Sequence, residues 1–310
     1  MVKSNLRITI LFTFFLIGCA QKTIQVKNTH TNTTYETVDP KETSEIKTQP
    51  EVMVPVQPAH TPDVTAPVPQ LNNKVLPKFG IIFSGGGAKA WAHIGFLKEL
   101  QKFKWPVHSV AGFEWGAVVA ATYAQNLSAN EVEWEMSKLK DFGKTEEFLK
   151  AVFEKKNTAD LKIPFVCPSL NISKQAYYLL NRGQLQQLIP FCVSQPPITA
   201  PYQQSVAVMT DVASLAQHLR STGASRIILV NVMSQAKMRS FVNDYMSAEN
   251  ILWVESAALM AKKPVGVDET ININLDDYGI KDLDKRRDLI AKGAELSYDQ
   301  IKKLAQKYGL

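Results

Sequence analysis

Residues 83–100 read FSGGGAKAWAHIGFLKEL. The apolar run just before them, Phe79 to Phe83, reads as a short buried strand, and the residues from about Ala90 to Phe103 read as a helix. Successive glycines between a strand and a helix let backbone N–H groups converge on one point. The helix N-terminus adds partial positive charge there. Gly85, Gly86, Gly87 and the basic Lys89 are therefore candidates for holding a phosphate or a developing oxyanion. The same letters fit a dinucleotide fingerprint, G-x-G-x-x-A, and they also fit a plain tight turn.

The next motif bears on that choice. Residues 111–124 read AGFEWGAVVAATYA. A second apolar strand, Val107 to Ala111, runs into a five-residue turn and then into a helix of unusually small side chains. Strand, tight turn, helix is the setting of a nucleophile elbow, G-x-S-x-G. Gly112 and Gly116 keep that outline, but its centre is Glu114 rather than serine. A dinucleotide site also wants an acidic residue at the end of its second strand, and Glu114 lies about there. Its place between two glycines of a tight turn favours the elbow.

Further along, Ser128 and Glu131 have capping-box spacing and start another helix. Strands are expected over Pro164–Leu170, Ser205–Met209, Arg226–Val232 and Thr270–Leu275, with a charged amphipathic helix from about Leu283 to Tyr308. The alternation argues for an α/β fold with a mostly parallel sheet. His93, His108 and His218 read as packed or capping residues. Ser84 and Ser109 flank the motifs but miss the elbow tip. Trp91, Trp105, Trp115, Trp134 and Trp253 read as core or pocket lining, and Trp115 is placed to fill space beside the elbow.

The N-terminus has a different character. Lys3 and Arg7 precede a short apolar run, Ile8 to Ile17, which is too short to span a bilayer comfortably. Leu16-Ile17-Gly18-Cys19 resembles the bacterial lipobox, in which the cysteine is lipidated and becomes the first mature residue. Several acyl chains hold a protein on a membrane stably. Ala20 and Gln21 follow with no aspartate, which in the Gram-negative pattern implies the outer membrane, facing the periplasm. Residues 20 to about 75 are rich in Thr, Pro, Gln and Val and carry no persistent period, so they read as a disordered tether, on the order of 40–50 Å end to end. The net charge of +6 is spread along the 310 residues, which does not argue for nucleic acid. After Cys19, Cys167 and Cys192 remain, and sequence leaves open whether they pair or stay as free thiols.

From about residue 78 to 305 the chain resembles a bacterial patatin-like phospholipase domain. GIIFSGGGAKAWAHIGFLKELQK is similar to that family's opening strand, oxyanion loop and first helix. VAGFEWGAVVAATYA is similar to its elbow, LLNRGQLQQLIPF to its middle segment, and VMTDVASLAQHLRSTGASRIILVNV to the stretch with its catalytic aspartate. The resemblance implies a three-layer α/β/α fold and a Ser–Asp dyad with no histidine, acting on acyl esters of phospholipids without metal or cofactor. It divides the chain into a lipoprotein signal peptide (1–18), a lipidated Cys19 with its tether (19–75) and a patatin-like domain (76–310).

Three motifs depart from the family's pattern. The last glycine of the oxyanion loop is Ala90, the nucleophile is Glu114, and the dyad aspartate maps to Asp211 but is followed by Val212-Ala213. In serine hydrolases, loss of the nucleophile costs on the order of 10⁶ in kcat. The resemblance thus implies a pseudoenzyme at the cell envelope, membrane-bound through Cys19, with an acyl lipid or a protein as partner. The alternative is a hydrolase working with non-standard residues. Glu114 itself has two readings. It folds back into the N–H nest or pairs with Lys89, with Asp211 close enough to raise a pKa, or it points to solvent from a relic turn.

Overall fold

The computed structural model describes residues 76–233 and 248–310. The expected signal peptide, Cys19 and the tether lie outside the described residues. Seven strands, β1 (Phe79–Phe83), β2 (Val107–Gly112), β3 (Phe165–Asn171), β4 (Ala176–Leu180), β5 (Ser205–Ala207), β6 (Arg226–Asn231) and β7 (Glu269–Asn272), form one sheet. Its order is β4-β3-β2-β1-β6-β7, with β5 also paired to β3. The pairs β3–β2, β2–β1, β1–β6 and β6–β7 are parallel. Only β4 and β5 run antiparallel, both on β3.

Alternation within the central strands sends side chains to two cores. Phe79, Ile81 and Phe83 of β1 and Ile228 and Val230 of β6 face one core. It is closed by α1 (Ala92–Lys102), α2 (Trp115–Asn126), α3 (Ala129–Met136), α4 (Thr145–Phe153), α5 (Leu185–Val193) and α8 (Arg286–Tyr308). Ile82, Ile227 and Leu229 face the other, closed by α6 (Val212–Ser221) and α7 (Ala248–Ala261). Burial of both faces is why these strands are continuous apolar runs. The result is a three-layer α/β/α sandwich with a mostly parallel sheet.

Some boundaries differ from the sequence reading. The strand expected over Ser205–Met209 ends at Ala207 and pairs antiparallel with β3. The one expected over Thr270–Leu275 runs Glu269–Asn272. Ser128 caps α3, its hydroxyl accepting from the Glu131 N–H at 3.3 Å. Cys167 on β3 and Cys192 on α5 form a disulfide, their Cα atoms 6.0 Å apart, which settles the pairing that sequence left open. Helices α1 and α8 cross at Gly95 and Gly293. A Cβ at either would lie 2.0 Å from a carbonyl oxygen of the partner helix, so only glycine permits that approach.

Candidate functional site: a filled anion nest

The elbow is built by close packing of backbone. A Cβ on Gly112 would lie 2.3 Å from the Gly116 carbonyl oxygen, and one on Gly116 would lie 2.4 Å from that of Ser84. The turn is tied to β1 by the Phe113 N–H, which donates to the Phe83 carbonyl at 3.0 Å. At its tip Glu114 has φ 49 and ψ −126. That left-handed backbone at a non-glycine residue costs on the order of 1–3 kcal/mol and persists only where the surroundings impose it. The small side chains of α2, Ala117 to Ala121, are fully buried and let the helix pack onto the sheet.

The Glu114 side chain turns into the glycine loop. Its Oε2 accepts from the N–H of Gly86 at 3.1 Å and from that of Gly87 at 3.0 Å. Both glycines have positive φ, 147 and 57, which aims the two N–H groups at one point. The carboxyl is fully buried and its second oxygen, Oε1, has no hydrogen-bond partner. Burial pushes its pKa up to about 7, against the opposing pull of the N–H groups of Trp115, Gly87 and Gly86. Near neutral pH the group is close to its titration midpoint.

The glycine loop is also packed closely where side chains would stand. Beyond Gly85 lies the Met209 sulfur, and beyond Gly86 lie Val232 and Met233. Ile198 and the Ile280 carbonyl press on Gly87, and that carbonyl accepts from the Ala88 N–H at 2.7 Å. An ester carbonyl seeking the two glycine N–H groups would have to displace the Glu114 carboxyl. The residues packed on the loop carry no local signal in the sequence, because segments distant along the chain bring them together.

Lys89 is fully buried, and burial lowers its pKa to about 8, against the pull of the Asp276 and Asp282 carboxylates. Of the two kinds of partner considered for Glu114, the backbone N–H groups are the ones it takes. Asp211 lies at the N-cap of α6, its Oδ1 accepting from the Ser214 N–H at 3.1 Å. No hydrogen bond joins it to Glu114, and it makes no contribution to the raised Glu114 pKa. An Asp directly before a helical apolar pattern is a cap signal in its own right.

His93 is buried and held neutral, burial taking its pKa down to about 4 against the pull of its hydrogen bond. Its Nε2–H donates to the Ser84 carbonyl at 2.8 Å and so braces the loop. The Ser84 hydroxyl accepts from the Val232 N–H and donates to the Gly85 carbonyl. Ser109 is buried in β2. His108 bonds the Thr222 carbonyl, and His218 lies beside Asn181. Trp115 is buried against Trp91, Phe142 and Phe148. Trp134 is not core but stands 65% exposed on α3, where it lines a surface cavity, the second of the two roles read for the tryptophans.

The family model for patatin-like phospholipase matches residues 81–142, which hold the glycine loop and the elbow. The chain is 26% identical over 201 residues to patatin-like phospholipase domain-containing protein 6 of Mus musculus, a match covering 56% of this chain and 15% of that protein. It is 26% identical over 183 residues to neuropathy target esterase sws of Drosophila melanogaster, covering 50% of this chain and 13% of that one. The chain thus spans a small fraction of these relatives' length. Among solved structures, VipD from Legionella pneumophila aligns with a TM-score of 0.46 at 11% identity, covering 75% of this chain and 67% of VipD.

Proposed function

We propose that this chain, a patatin-like phospholipase by family, is a pseudoenzyme that serves as a lipid- or protein-binding module at the bacterial cell envelope. The observation that carries the reading is the position of Glu114. Its carboxyl occupies the two N–H donors that an acyl-transfer intermediate would need, in the manner of a permanently bound product. A carboxyl at the elbow tip is not the alcohol that a Ser–Asp dyad deprotonates, and Asp211 caps α6 with no hydrogen bond to Glu114. Export to an oxidising compartment is supported by the Cys167–Cys192 bridge. Lipidation at Cys19 and an outer-membrane, periplasm-facing location belong to the same proposal and rest on the N-terminal sequence alone.

The test is ester hydrolysis by the full chain, with Cys19→Ser to keep it soluble, on a p-nitrophenyl ester and on phospholipid. Wild type is expected to match the uncatalysed blank. Glu114→Ser is expected to gain little, because Asp211 is turned to its own helix. Turnover by wild type that Asp211→Ala abolishes would overturn the reading in favour of a hydrolase with non-standard residues.

A further inference from the structure

A cavity of about 390 Å³ opens where α3 and the start of α8 meet Trp91. Its lining includes Trp91, Trp134, Lys140, Arg286, Arg287 and Glu133. Three of these are cations. The one acid, Glu133, is already held in an ion pair with Lys98 at 2.5 Å.

Two features of this cavity lack a structural purpose. Arg286 and Arg287 occupy the first turn of a 23-residue helix, where the macrodipole favours acids and opposes cations. Arg286 makes one long hydrogen bond, to the Leu283 carbonyl at 3.4 Å, and Arg287 makes none among the described residues. Trp134, unlike the other four tryptophans, stands exposed at the rim. Together the two guanidiniums make one long hydrogen bond, and the Lys140 ammonium beside them donates to the Ser137 carbonyl; what the three cations can take in common is an anion with several acceptor oxygens.

We infer that this cavity binds a phosphate-bearing ligand. The guanidiniums of Arg286 and Arg287 suit phosphate oxygens in a paired geometry, and Lys140 adds charge. Trp134 offers its face to the organic part of the ligand, or its edge to the headgroup layer of a bilayer, where tryptophan is favoured. The cavity shares no lining residue with the Glu114 nest, so the inference stands whether or not the chain is a pseudoenzyme. A free phosphate ester and a phospholipid headgroup share the required chemistry.

The experiment uses the full chain with Cys19→Ser, so that no N-terminal lipid contributes, at about 0.15 M salt to screen diffuse attraction. One arm titrates glycerol 3-phosphate and follows tryptophan fluorescence, with Trp134→Phe to assign the signal. The other floats the protein with phosphatidylcholine vesicles, with and without phosphatidic acid. Saturable binding in the first arm alone identifies a soluble phosphate ester. Flotation that requires phosphatidic acid identifies a headgroup.

In either case Arg286→Gln/Arg287→Gln is expected to lose at least about ten-fold in affinity. Its Tm is expected to hold or rise, because first-turn cations oppose the dipole. A purely structural role for the arginines predicts the opposite, a fall in Tm with binding unchanged. Should the double variant fail to fold, Trp134→Ala, at an exposed position, carries the test and is expected to weaken binding several-fold. Absence of binding in both arms, or equal binding by these variants, would overturn the inference.

Discussion

At the elbow, Gly112, Gly116 and the glycine loop pack backbone against backbone, and Glu114 is held at φ 49 with its carboxyl seated on two N–H groups. At Asp211 the chain has relaxed into an ordinary helix start. The carboxylate caps α6, and Val212 and Ala213 simply continue the helix. The two regions answer to the two halves of the Ser–Asp dyad implied by the family resemblance. What separates them is steric lock-in. A turn closely packed by neighbouring backbone keeps its geometry whatever side chain stands at its tip, whereas a loop free to hydrogen-bond locally takes the nearest local partner.

The largest expected effect tests that lock. Gly116→Ala puts a methyl 2.4 Å from the Ser84 carbonyl and 2.6 Å from that of Phe83, both rigid backbone. It is expected to cost upward of about 3 kcal/mol, read from the denaturation midpoint. A cost near zero would mean that the elbow is as loose as the Asp211 segment.

The next effect is set by pH. The Glu114 pKa rises from 4.5 to about 7 on folding, because burial disfavours the charged form. Its stabilising contribution is full below pH 4.5, falls as pH climbs from 4.5 to 7, and is flat above that. The loss amounts to about 3 kcal/mol. Glu114→Gln should remove this slope, and Asp211→Ala should leave it intact. Equal slopes for wild type and Glu114→Gln would place the titration elsewhere.

The smallest effect is Asp211→Ala itself. Loss of the α6 cap should lower stability by about 1 kcal/mol. A much larger loss would mean that Asp211 still has a partner in the site.

Sequence made the first half of the domain legible because its signals are local. Phe79–Phe83 and Val107–Ala111 are continuous apolar runs, and the glycines between strand and helix mark the turns. The second half hides its elements. Tyr177, Tyr178 and Leu179 of β4 are all exposed, so no alternation announces a strand. Pro190 sits inside α5, where a sequence reader expects a break. The site divides in the same way. Gly85 to Gly87 and Glu114 stand out as letters, while Met209, Ile198 and Ile280, which pack against the glycine loop, are defined only by tertiary contacts. Asp211 stands out in the sequence as the family's dyad position, and the structure adds its role as the N-cap of α6, through the hydrogen bond from the Ser214 N–H.

The central claim is that a buried, half-protonated Glu114 fills the nest, and NMR tests it most directly. The amide signals of Gly86 and Gly87 and the Glu114 carboxyl carbon would be followed through a pH titration, with Glu114→Gln to assign the carboxyl. The account predicts that all three move together with a midpoint near 7. A Glu114 midpoint at its ordinary 4.5, with the two glycine amides unmoved, would contradict it and return Glu114 to solvent.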